Sequence, residues 1–173
     1  MTDALEEAIR DWVDSFEVFP VGESKPIRLL ADSVAFHRAK DFGIEWLWYI
    51  TCNSSTHPDQ GTWAWTGVAT MADRSRWSAR GISGGGGHPL LKGCPWVNLG
   101  GQLLEDGFRL GGWVEDPGQR VTAVRLIDSS DTEVEDVVAN QVVLFRSNNP
   151  AELPLTVQLI DNTGAIAATH QFP

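Results

Sequence analysis

Glu45-Trp46-Leu47-Trp48-Tyr49-Ile50-Thr51-Cys52 and Thr62-Trp63-Ala64-Trp65-Thr66-Gly67-Val68-Ala69 are the two segments whose reading decides the fold. Both are rich in aromatic and β-branched residues, and both place tryptophan at every second position. A period of two is the period of a strand, so the two tryptophans of each segment share a face. The stretch between them holds Asn53, Ser54, Ser55, Pro58, Asp59 and Gly61, which is turn chemistry. Pairing the strands about a turn near residues 55 and 56 sets Trp48 opposite Trp63 and Trp46 opposite Trp65. All four rings then cluster as cross-strand pairs. The other face, with Glu45, Leu47, Tyr49, Thr62, Ala64 and Thr66, is more polar.

Two readings of this quartet follow. As core, it supplies the large buried area that a small β-domain needs. As an exposed platform, Trp46, Trp48, Trp63 and Trp65 would stack on a sugar, a peptide or another protein. The segment before them bears on the choice. Leu5, Ile9, Trp12, Val13 and Phe16 follow the spacing of one helix face, giving an amphipathic helix over about 3–16. Asp3 and Glu6 fit an N-cap with its reciprocal acid, and Pro20 and Gly22 mark the stop. That apolar face has to dock, and Trp12 and Phe16 are suited to cover the quartet.

From about residue 27 onward the chain reads as short strands separated by turn residues, without strand–helix alternation. The expected strands are 27–38, 43–52, 61–71, 75–82, 95–103, 107–115, 120–128, 132–138, 140–146, 153–161 and 165–171. This spacing indicates an all-β, antiparallel, sandwich-like domain, Ig-like or jelly-roll-like, with an N-terminal helix. Residues 1–173 are read as a single β-rich domain. The alternative is a split near 116–118, at Asp116-Pro117-Gly118, into two small β subdomains. An internal echo supports the β reading. Val124-Arg125-Leu126-Ile127-Asp128-Ser129-Ser130-Asp131 resembles Val157-Gln158-Leu159-Ile160-Asp161-Asn162-Thr163-Gly164 at an offset of 33 residues, as two similar hairpins would. A second echo pairs Asn98-Leu99-Gly100-Gly101 with Arg109-Leu110-Gly111-Gly112, where paired glycines mark bulges or close backbone approach.

Composition narrows the function classes. With 42% hydrophobic and 21% charged residues, the chain is composed as a globular protein rather than a disordered one. Its formal charge of −10 repels phosphate backbones, so no nucleic-acid partner is expected. No apolar run reaches the length of a membrane span. The beginning, MTDALEEAIRDWVDSF, has acids where a leader has bases. The expected compartment is the cytoplasm, where Cys52 and Cys94 stay as thiols.

Four groupings of residues offer chemistry. Cys52, His57, His88 and Cys94 have the ligand types of a tetrahedral zinc site, and zinc is the one cofactor considered. Gly81-Ile82-Ser83-Gly84-Gly85 matches the G-x-S-x-G pattern, with Ser83 as nucleophile and His170 in the right chain order as base. Around the same glycines, Arg74, Arg76, Arg80 and Lys92 stand against Asp73 alone, a local charge of +3. With the N–H groups of Gly85 and Gly86 they could form an anion nest. The structural alternatives are semi-buried thiols with loop histidines, a flexible glycine loop, and alternation along an edge strand. Asp128, Asp131, Glu133, Glu135 and Asp136 read as a solvated hairpin or a calcium loop. The preferred function is a non-catalytic interaction or small-ligand-binding module, with a protein partner or a second copy of the chain. The alternative is a small hydrolase built on the zinc set or on Ser83.

Overall fold

The computed structural model describes residues 2–72, 76–86 and 93–172. The chain is mostly β, every sheet is antiparallel, and one helix stands at the N-terminus. It divides into two compact units, Met1–Pro89 and Leu90–Pro173. The Asp116-Pro117-Gly118 turn lies inside the second unit.

In the first unit, helix α1 (Asp3–Ser15) buries Leu5, Ile9 and Val13. Its N-cap is Thr2 rather than Asp3, with no side-chain cap bond. Asp3 and Glu6 sit in the first turn instead, where they face the positive end of the helix dipole. The short strands β1 (Glu17–Val18) and β2 (Ile27–Arg28) pair with each other. The expected strand 27–38 is interrupted by a 3-10 turn, Ala31–Ser33, where Ser33 Oγ donates to the Leu30 carbonyl at 2.7 Å. The Ala31 carbonyl accepts from Arg10 Nη1 at 2.7 Å, which ties this turn to the helix. Strands β3 (Ala35–Asp41), β4 (Trp46–Asn53), β5 (Thr62–Ala72) and β6 (Arg76–Gly86) then form a meander in that order.

The helix covers one face of this sheet. Leu5, Ile9 and Val13 share a core with Trp48, Ile50, Cys52, Trp63 and Ala69. What makes that core possible is glycine under each large ring. A Cβ on Gly67 would fall inside the Trp48 ring, one on Gly84 inside Trp65, one on Gly86 inside Trp63, and one on Gly81 inside Trp12. A tryptophan ring packed against a glycine fills the space a side chain would take. At ~25 cal/mol per Å² and roughly 200 Å², each buried ring contributes about 5 kcal/mol.

The second unit is the sandwich. Strands β7 (Trp96–Leu104), β8 (Gly107–Glu115) and β11 (Val142–Ser147) form one sheet in the order β11-β8-β7. Strands β9 (Val121–Ile127), β10 (Glu133–Val137), β12 (Leu155–Asp161) and β13 (Ile166–Phe172) form the other in the order β10-β9-β12-β13. One core joins them, with Phe108, Leu110, Val143 and Phe145 from the first sheet and Val124, Leu126, Val157 and Leu159 from the second. Among the described residues, three strands of one antiparallel sheet and four of the other make the sandwich. Gly100 pairs with Gly111 and Leu99 with Gly112, so the second glycine echo marks close approach of β7 and β8 without a bulge.

The 33-residue echo is a structural repeat. Arg125 pairs across β9 and β12 with Gln158, its own equivalent, so a pseudo-two-fold axis passes between them. The turns match atom for atom. Asp128 Oδ1 accepts from Ser130 N, Ser130 Oγ and Thr132 N. Asp161 Oδ1 accepts from Thr163 N, Thr163 Oγ1 and Ala165 N. These bonds favour the ionised carboxylates and lower both pKa values, led by the Ser130 and Thr163 hydroxyls. The acidic cluster therefore disperses rather than forming a calcium loop. Asp128 holds its own turn, and Glu135 pairs with Arg125 at 2.9 Å. Asp136 is buried and accepts from Leu144 N at 2.7 Å, joining the β10 and β11 edges.

Two predictions follow from this packing. Gly67→Ala should lower the urea midpoint of the tryptophan-fluorescence transition, by about 2 kcal/mol or more in stability. Gly85→Ala, where a Cβ meets nothing within 4 Å, should change it by less than about 0.5 kcal/mol. For the turns, a lowered folded pKa means stability that is present above the unfolded aspartate value near ~3.9 and lost as pH falls through the folded value. The Asp128→Asn, Asp161→Asn double variant should therefore be less stable than the parent at neutral pH. The gap should close below about pH 4, as denaturation midpoints across pH would show.

Candidate functional site

The quartet occupies one face, as the period-two reading requires, but in a different register. Cys52 pairs with Trp63, Ile50 with Trp65, Trp48 with Gly67 and Trp46 with Ala69. The loop is longer than a tight turn, with a 3-10 segment at Pro58–Gln60, so the strands slide by an even number of residues and facing is preserved. The rings are staggered rather than opposed. Trp12 reaches Trp48 at 5.3 Å and Trp65 at 5.4 Å between centroids, and Phe16 reaches Trp65 at 4.7 Å. Trp48 is 0% exposed and Trp63 is buried. These two are core rather than a stacking surface, and Trp65 is half-buried beneath the helix.

Trp46 differs. It lies at the margin of this core, half-buried, with its ring edge-to-face against half-buried Trp77 of β6 at 5.8 Å and 80°. The two rings lean together across β5 above buried Ala69. Met71, paired with Trp77, is 52% exposed, and Ile44 in the β3–β4 turn is 72% exposed. Asp41 stands opposite Trp46 on β3, on the same face. Sequence reasoning passed over Trp77. The signal was its parity, opposite to that of Arg76 and Arg80 on one strand.

The glycine run is strand rather than loop. Residues 81–86 belong to β6, with Ser83 opposite Thr66 in the ladder. Ser83 lies within this extended strand, three residues before its last described residue, rather than at the sharp strand-to-helix turn of a nucleophile elbow. Gly85 and Gly86 are extended residues of the same strand, Gly86 seating Trp63, and do not form the concave turn of an anion nest. Arg76 and Arg80 are exposed on the sheet face opposite the helix, paired with Ala72 and Val68. Arg74 lies outside the described residues. His170 packs against Trp96 at 3.9 Å between centroids with the rings tilted by 53°, and its Nε2 donates to the Pro95 carbonyl at 3.1 Å, joining the edge strands β13 and β7.

The proposed metal set has its members in unlike settings. Cys52 is buried in the helix–sheet core, and burial pushes its thiol up to about 12, away from the thiolate a metal binds. Cys94 is exposed in the second unit, and His88 lies outside the described residues. Among the described residues, no three His, Cys, Asp or Glu side chains converge on a common point.

His57 takes part in a different network. Its Nε2 lies 2.9 Å from Glu23 Oε2, and its Nδ1 lies 3.0 Å from Thr56 Oγ1. A carboxylate only accepts, so Nε2 carries the proton, and in the neutral ring Nδ1 accepts from Thr56. Thr56 Oγ1 also accepts from Arg28 N at 3.1 Å, and Ser54 Oγ donates to the Arg28 carbonyl at 2.9 Å. Carboxylate, imidazole and hydroxyl occur in the order of a nucleophilic site. Here the hydroxyl is spent on Arg28, and the network stitches the 54–57 loop to β2.

The chain matches no protein-family model, no curated protein and no solved structure. Among the described residues, no helix is long and apolar enough to cross a membrane. A surface that combines exposure, aromatic area and charge among the described residues is the Trp46–Trp77 margin with Met71, Ile44 and Asp41.

Thiol titration checks the cysteine assignment. In native protein an aromatic disulfide reagent should modify Cys94 alone, and Cys52 should react only after denaturation. Equal native rates would contradict the packing of Cys52.

Proposed function

We propose that this protein is a non-catalytic interaction module that docks a basic segment of a protein partner on the Trp46–Trp77 margin of its first unit. The observation that carries the reading is the half-buried, edge-to-face tryptophan pair left beside the helix, flanked by exposed Met71 and Ile44. Tryptophans in such settings dominate binding energy at protein interfaces. Charge favours a basic partner. The chain carries −10 overall, and helix α1 holds Asp3, Glu6, Glu7, Asp11 and Asp14 against Arg10 alone. Complementary charge accelerates and selects encounters. The side chains offered for chemistry support the same reading, since Ser83 lies within a strand ladder, His170 bonds the Pro95 carbonyl, His57 belongs to the 54–57 loop network and Cys52 to the core. The cytoplasm, where Cys52 and Cys94 persist as thiols, is the setting we propose.

The test is a fluorescence titration with an octa-arginine peptide and an octa-glutamate control, backed by sedimentation velocity. Saturable binding of octa-arginine, weakened at least about tenfold by Trp77→Ala in protein of unchanged helix–sheet circular dichroism, is the expected result. Equal affinity of parent and Trp77→Ala would overturn the reading. So would a parent dimer that Trp77→Ala dissociates, because the margin would then be occupied by a second copy.

A further inference from the structure

We propose that the Trp46–Trp77 margin is a guanidinium subsite: an arginine side chain of the partner stacks on the tryptophan pair and is met by the Asp41 carboxylate. This rests on the docking reading above and goes further by naming the chemical group recognised. The argument begins with how the sheet sorts charge. Strand register places Arg38 opposite Tyr49, Lys40 opposite Leu47, Arg76 opposite Ala72 and Arg80 opposite Val68. All four cations therefore lie on the face away from the helix. The helix-side face of the same rows carries Asp41, Trp46, Ala69, Met71, Trp77 and Ala79. Among the described residues it holds no lysine or arginine from the four strands. Arg10 of the helix is committed elsewhere, with its guanidinium 4.9 Å from the Phe36 centroid and its Nη1 on the Ala31 carbonyl.

Among the described residues, the margin thus joins two kinds of negative potential with no strand cation on the same face. Indole faces present the negative lobe of the ring quadrupole, and tryptophan is the strongest aromatic partner for a cation. Rings set at 80° make a corner, in which a planar group stacking on one ring meets the other at its side. Asp41 directly opposes Trp46, and cross-strand partners bring their Cβ atoms within about 5.5 Å. Its Oδ1 accepts from Gly43 N at 2.7 Å, which fixes the carboxylate at the turn. A carboxylate has about four lone-pair sites, so this bond leaves capacity for a guanidinium N–H. Guanidinium suits the corner better than ammonium, because it is planar, less strongly hydrated, and able to stack and donate together.

Octapeptides of arginine, lysine and citrulline, titrated against the parent, Asp41→Asn, Trp77→Phe and Trp77→Leu, test this. Citrulline keeps the shape of arginine and lacks its charge. The proposal expects arginine to bind best, lysine more weakly, and citrulline at least about tenfold more weakly than arginine. Asp41→Asn should cost about threefold to tenfold for arginine and leave citrulline unchanged. Trp77→Phe should retain part of the affinity that Trp77→Leu loses. Trp77→Phe also guards against a folding defect, since an aromatic ring remains over Ala69. Equal binding of arginine and citrulline peptides, with Trp77 still required, would overturn the guanidinium subsite and leave the docking surface standing. Affinity for arginine that is indifferent to Trp77→Leu would overturn both.

Discussion

The seating of tryptophan on glycine is the constraint on which the first unit depends. Helix α1 can approach the sheet because Gly81 admits Trp12, and the rows beneath it close because Gly67 and Gly84 admit Trp48 and Trp65. Any side chain at these glycines would occupy the ring's own position. The same constraint explains the helix. Its N-cap makes no side-chain bond, and its last turn carries no base to oppose the dipole. Its stability therefore comes from the face it buries rather than from its ends. The indole nitrogens of Trp48, Trp63 and Trp65 are buried without hydrogen-bond partners, a cost that ring burial has to exceed.

The second unit is held by a different device. There the apolar core is ordinary, and polar side chains organise the ends of the strands. Asp116, Asp128 and Asp161 each gather backbone N–H groups of the turn that follows, and buried Asp136 links the two sheets at one side. His170 and Trp96 meet at the other side. Four of the chain's 23 acidic residues are thus structural, their carboxylates accepting from backbone N–H groups.

The fold was legible where it rests on local pattern. The helix, most of the strands from residue 35 onward and the duplicated hairpin could be read from spacing and turn residues, because each is decided within about a dozen positions. The 27–38 segment was misjudged because a short 3-10 turn leaves no periodic trace. The quartet's facing was readable, since parity survives an even slip, but its register was not, since the loop holds a 3-10 segment that no local rule fixes. The glycine run misled for a physical reason. Glycine usually signals freedom in the backbone, whereas here it signals the presence of a ring above it, contributed by residues far away in sequence. Trp77 was missed although its signal is local: its parity on β6 is opposite to that of Arg76 and Arg80, and its pairing with Met71 fixes its face.

The pseudo-two-fold of the sandwich bears on how the chain reaches its folded state. The β9–β10 and β12–β13 hairpins close over turns of a few residues, each prepaid by an aspartate that organises its own loop. Joining β9 to β12 instead brings together segments 33 residues apart at the axis, where closure entropy is larger. The seam between the two hairpins, with Arg125 and Gln158 on the axis itself, is thus where the sheet depends on non-local rather than local pairing.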